Sequence, residues 1–159
     1  EIGVRLVGSE MCIRDSHNIT PPAANTVFFG GGTPSLLGRQ LPKILDVVRE
    51  CFGIAPGAEI TSEANPESTS PELFDCWRAG GVNRLSLGMQ SSEPRVLALL
   101  DRQHDPARAV AAIEEAQAAG FEHLNLDLIY GTPGETTDDV ARSVDTVLAT
   151  GVDLSLIHI

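Results

Sequence analysis

The sequence predicts an α/β protein whose parallel strands surround a polar interior and carry their helices outside. Three observations lead there. Short apolar runs alternate with amphipathic segments from about residue 26 onward. Capping residues and glycines mark the boundaries between them. One face of several strands is polar, where an open sheet covered on both sides would be apolar on both.

The elements follow in order. A first strand, Thr26–Phe29, runs into Gly30-Gly31-Gly32. Leu41, Ile44, Leu45, Val48 and Phe52 then make a helical stripe of three- and four-residue spacing. A second strand is expected over Glu59–Ala64, and a second stripe at Leu73, Phe74 and Trp77. Ser70-Pro71 places a capping oxygen before a proline at the first helical position, as does Asp105-Pro106 further on. The third strand is Arg84–Met89, followed by a short stripe of Val96, Leu99 and Leu100. Val110, Ile113 and Ala116 form the fourth stripe, and His123–Ile129 the fourth strand. Thr136 and Asp139 have capping-box spacing ahead of Val140, Val144, Val147 and Leu148. Gly80, Gly120 and Gly151 stand where helix ends favour a left-handed residue. Strands separated by helices imply parallel pairing.

Alternation separates the strand faces. Leu124, Leu126 and Leu128 oppose Asn125, Asp127 and Ile129. Ile60, Ser62 and Ala64 oppose Thr61, Glu63 and Asn65, and Leu85 and Leu87 oppose Ser86, Gly88 and Gln90. A barrel with a wet or ligand-filled interior is the expected account of this polar face, and polar groups at solvated strand ends are the alternative.

Composition narrows the function. Apolar residues make up 42% of the 159, enough for a packed core. A net charge of −11 argues against gripping phosphate backbones, so nucleic acid is not an expected partner. No apolar run is long enough to span a bilayer, and no signal-peptide pattern is visible. Cys12, Cys51 and Cys76 are scattered and suggest no disulfide framework, so a cytoplasmic location is expected. Cys51 and Cys76 read as small buried hydrophobes beside Phe52 and Trp77.

Parallel α/β folds bind ligands at the C-terminal strand ends, and four features fall there. Gly30-Gly31-Gly32-Thr33-Pro34 exposes backbone donors to a close ligand. Glu63 in Glu63-Ala64-Asn65-Pro66 can accept from an amine or hydroxyls, and Gln90 offers both donor and acceptor. Asp127, in an apolar strand, needs a partner or a ligand, and Arg102 is the cationic candidate. Dinucleotide, P-loop, zinc-protease and nucleophile-elbow motifs are absent.

Four motifs in this order carry a family resemblance. They are Thr26–Leu37 (TVFFGGGTPSLL), Glu63–Pro66, Gly81–Ser91 (GVNRLSLGMQS) and Asn125–Gly134 (NLDLIYGTPG). Together they closely resemble radical SAM proteins of the oxygen-independent coproporphyrinogen III oxidase family. Glu-Ala-Asn-Pro, Gln-Ser after Gly-Met, and Arg102-x-His104 look more like its haem-chaperone branch. The resemblance implies part of a (β/α)6 TIM-type barrel with S-adenosylmethionine above a [4Fe-4S] cluster. It implies contacts from Gly31, Gly32, Thr33, Glu63, Gln90, Arg102 and Asp127, with haem or porphyrin and a haem-acceptor protein as partners. The alternative within the family is coproporphyrinogen dehydrogenation.

The chain departs from the family at one point. The cluster requires C-x3-C-x2-C before Thr26, and only Cys12 lies there. Without three thiolates the cluster lacks protein ligands, so no radical chemistry is expected of these residues alone. Glu1–Ser16 resembles translated sequencing-adapter read-through and is set apart from the fold, as is the 154–159 tail, where a short strand would also suit the repeat. Residues 17–153 then read as an internal piece of the radical SAM core.

Overall fold

The computed structural model describes residues 22–102 and 105–152, and the backbone alone of 154–158. Five strands form one sheet: β1 (Ala24–Phe29), β2 (Ile54–Ala64), β3 (Arg84–Gln90), β4 (His123–Ile129) and β5 (Leu154–His158). Every neighbouring pair is parallel, and spatial order equals chain order. A doubly wound sheet reverses order at a switch point; this one does not, which is the ordering of a barrel wall. Among the described residues five α-helices connect the strands: α1 (Leu41–Phe52), α2 (Pro71–Gly80), α3 (Pro94–Leu99), α4 (Pro106–Ala118) and α5 (Thr137–Ala149).

The apolar strand face and the helices share one core. Ile60 and Ala64, Leu85, Leu87 and Met89, and Leu124, Leu126 and Leu128 cluster with Leu41, Leu45, Phe74 and Trp77. From α4 come Ile113 and the small Ala109, Ala112 and Ala116, which suit close packing of the helix. On the other strand face Thr61, Ser86 and Asn125 are buried too, at 4%, 9% and 4% exposure. Polar groups withdrawn from water need partners, so that face is where chemistry collects.

The boundaries follow the capping signals. Ser70 Oγ accepts from Leu73 N at 3.3 Å, and an Asp105 carboxylate oxygen from Ala107 N at 3.0 Å. Ser70→Ala is expected to cost about 1 kcal/mol in urea unfolding. The Thr136–Asp139 capping box forms in both directions. The Thr136 amide and hydroxyl, with help from Arg95 and Arg142, hold the Asp139 carboxyl below the usual aspartate range. Its contribution to stability is therefore complete above the unfolded value, about 3.9, and is lost as pH falls through the lower folded value. Acid titration should show a smaller loss of stability below about pH 4 in Asp139→Asn than in the parent chain.

Several expectations need correction. The left-handed residue after α2 is Gly81 (φ 108°), one position beyond Gly80, which is still helical. β2 begins at Ile54, because Gly53 ends α1 and Ile54 already pairs with Ala24 before a register shift. The inward stripes are narrower than the apolar spacing suggested. Ile44, Phe52, Leu99 and Leu148 are exposed, whereas Leu97, outside the expected stripe, is buried. In the six-residue α3, Val96 and Leu97 suffice to face the core. Cys51 is exposed on α1 and Cys76 half-buried on α2, so neither is a fully buried hydrophobe. Residues 154–158 form the short strand that the repeat allowed.

Candidate functional site

At the C-terminal strand ends a cavity of about 300 Å³ is lined by Gly32, Thr33, Glu63, Gln90, Arg102 and Asp127, with Asn65, Ser86, Gly88 and Ile129 between them. Gly31 joins through its N–H, which donates to Glu63 Oε2 at 3.1 Å. All seven residues singled out from the sequence therefore converge on one place. A second polar cavity, of about 340 Å³, lies at the opposite end of the strands around Gly57, Glu59 and His123. It is off the end where parallel sheets bind their ligands.

Each wall has a local cause. Gly31 and Gly32 have φ of 81° and 61°, and nothing lies within 4 Å of where a Cβ would stand on either, so a ligand can approach that backbone closely. Gly30 is required for another reason: a Cβ there would sit 2.3 Å from the Phe28 ring and 3.2 Å from the Glu63 carboxyl carbon. The loop is tied down from outside. Ser35 Oγ meets Ser68 Oγ at 2.6 Å and accepts from Asn65 N at 3.0 Å, joining the glycine loop to the Glu63–Pro66 loop. Trp77 Nε1 donates to Gly38 O at 2.9 Å. Arg108 grips Glu115 with two 2.7 Å bonds and donates to Pro66 O at 3.0 Å, bracing the second loop against α4.

Gln90 closes β3 in the left-handed region, with φ 68°, next to a register shift between Gly88 and Gln90. A side chain other than glycine rarely adopts that conformation, and such strain concentrates at functional sites. It brings the amide back over the strand: a Cβ on Gly88 would lie 2.5 Å from Gln90 Nε2. Gly88→Ala is therefore expected to displace Gln90 and weaken ligand binding while the thermal midpoint barely moves, because the clash is with a flexible side-chain end. Asp101, also left-handed at φ 53°, precedes Arg102, whose N–H is anchored on Leu97 O at 2.9 Å.

Asp127 receives Ser86 Oγ at 3.0 and 3.1 Å and Asn125 Nδ2 at 2.6 Å. Alternation put Ser86 and Asn125 on the polar strand face without marking them as site residues; their register opposite each other on β3 and β4 brings them to Asp127. Arg102, the expected partner of Asp127, stands in the wall of the same cavity. His104 lies outside the described residues, as does Cys12. Among the described residues no group of three His, Cys, Asp or Glu side chains can hold a metal. Cys51 and Cys76 sit on the helices, away from the cavity lining. The described residues thus do not fit an iron–sulfur cluster.

The Radical SAM superfamily profile matches residues 8–147. The chain belongs to the radical SAM superfamily. Proteins of this superfamily generally use S-adenosylmethionine and a [4Fe-4S] cluster. The chain is 62% identical over 133 residues to the protein named heme chaperone HemW of Mycobacterium tuberculosis, covering 83% of this chain and 34% of that protein. It is 42% identical over 115 residues to HemW of Escherichia coli, covering 72% and 30%. Among solved structures it is similar to coproporphyrinogen III oxidase (HemN) from Escherichia coli, with TM-score 0.78 and 34% identity over 84% of this chain and 31% of that one. These relatives place it in the HemW and coproporphyrinogen oxidase-like branch. The chain spans about a third of the length of the curated relatives it matches. No helix among the described residues is long and apolar enough to cross a membrane.

Proposed function

We propose that the strand-end cavity binds S-adenosylmethionine, and that the chain is the cofactor-binding part of a haem chaperone of the HemW kind. The observation that carries this reading is the convergence of Gly31, Gly32, Thr33, Glu63, Gln90, Arg102 and Asp127 on one cavity. The donor set suits the ligand. Glu63 and Asp127 can accept from an amine and hydroxyls, the Arg102 guanidinium can take a carboxylate, and the open glycine backbone admits close approach. About 300 Å³ is at the lower end of the range for small-molecule sites. Bound S-adenosylmethionine would supply a 5′-deoxyadenosyl radical, with methionine leaving, only on one-electron reduction by a cluster held outside the described residues. The residues here bind and orient it; the described cysteines provide no cluster to reduce it.

Haem binding, and transfer of haem to an acceptor protein, rest in this proposal on the name of the HemW relatives, and a cytoplasmic location rests on the scattered cysteines. The second reading is oxygen-independent oxidation of coproporphyrinogen III, favoured by the likeness to HemN. Calorimetric titration of the chain with S-adenosylmethionine should give saturable binding competed by S-adenosylhomocysteine; no binding refutes the site. For the chaperone reading, the full-length protein should bind haem in an absorbance titration and leave coproporphyrinogen III unchanged without oxygen. Turnover of that substrate would establish the second reading instead.

A further inference from the structure

We propose that Ser86, in the cavity wall, and Asn125 are positioning residues that fix the Asp127 carboxylate, so that ligand affinity depends on the two side chains that hold it. This rests on the reading of the cavity as an S-adenosylmethionine site.

The three groups form a closed triangle across β3 and β4. Asn125 Nδ2 donates to Ser86 Oγ at 2.7 Å and to Asp127 Oδ1 at 2.6 Å. Ser86 Oγ accepts from Asn125 and donates its own hydroxyl hydrogen bond to Asp127. The order of donors follows from chemistry. A carboxylate has no proton to give, so the amide must present its nitrogen and the hydroxyl its hydrogen. The Asn125 amide does this at its own expense: its buried Oδ1 has no hydrogen-bond partner among the described residues. Turning the amide to satisfy that oxygen would set it against the carboxylate. Asn125 is 4% exposed and Ser86 9%, so both are shielded from the water that would otherwise compete for these bonds. The register holds them, since Ser86 pairs with Asn125 and Gly88 with Asp127.

Binding of S-adenosylhomocysteine to the 159-residue chain, followed by calorimetry, tests this with Ser86→Ala, Ser86→Thr, Asp127→Asn and the Ser86→Ala/Asp127→Asn pair. Ser86→Ala should bind on the order of tenfold more weakly, the effect of one lost bond to a charged group. Ser86→Thr keeps the hydroxyl and should restore most of the affinity. In the Asp127→Asn background Ser86→Ala should cost nothing further, because its effect runs through the missing carboxylate. Losses that add in the double variant, or a Ser86→Ala chain that binds like the parent, overturn the proposal. Asp127→Asn binding like the parent overturns the reading of the cavity itself. Should Ser86→Ala not fold, the Asn125 side-chain amide resonances of the parent chain give a second readout. They should shift when S-adenosylhomocysteine binds, and unshifted resonances overturn the proposal.

Discussion

Trp77→Ala is expected to remove about 3–5 kcal/mol of folding stability, a large share of what a domain possesses. The side chain is fully buried in the core cluster that also holds Leu41, Leu45 and Phe74, so its truncation leaves a large cavity there. Urea unfolding followed by circular dichroism measures the loss. Trp77→Phe separates packing from anchoring. It keeps most of the buried surface and deletes the 2.9 Å bond to Gly38 O, whose loss costs about 1 kcal/mol. Because that bond ties down the Pro34–Gln40 turn following Gly32-Thr33, Trp77→Phe should weaken S-adenosylmethionine binding more than its small effect on stability implies. Equal binding by Trp77→Phe and the parent would show that the glycine loop holds its shape without this tether.

The second large effect concerns the two carboxylates. Glu63→Gln and Asp127→Asn should each weaken S-adenosylmethionine binding roughly ten- to a hundredfold, the range for hydrogen bonds to charged groups. Neither should lower the thermal midpoint much through lost packing, because both changes conserve shape. Glu63 carries an additional duty, since its Oε2 receives the Gly31 N–H. Its replacement by alanine should therefore also loosen the glycine loop, visible as faster exchange of the Gly31 amide. A binding constant unchanged by both substitutions would mean that the ligand sits elsewhere.

Much of this arrangement was legible in the sequence because it rests on local rules. His123–Ile129 is the strand that its alternation describes, and the Thr136–Asp139 spacing becomes a capping box. The strand-end residues were legible because a parallel strand followed by a helix fixes which end each motif occupies. What escaped depends on distant partners. Ile44, Phe52 and Leu148 have the right spacing for a buried stripe, yet how wide a stripe is covered depends on neighbouring elements that spacing does not reveal. Arg108 reads as an ordinary helical charge until the fold sets Pro66 and Thr69 beside it. Ser86 and Asn125 stand 39 positions apart, and only the pairing of β3 with β4 makes them neighbours of Asp127. Cys51 shows the opposite failure, since a residue type that is usually buried lies on the outward side of α1.

The central claim is that separate strand ends build one cavity for adenosylated methionine. Backbone amide mapping of the 159-residue chain by NMR during titration with S-adenosylhomocysteine tests it most directly. Saturable shifts are expected at Gly31, Gly32, Glu63, Gln90 and Asp127, with His123 and Glu59 at the other end of the strands unmoved. Shifts confined to that opposite end, or none at saturating ligand, would contradict it.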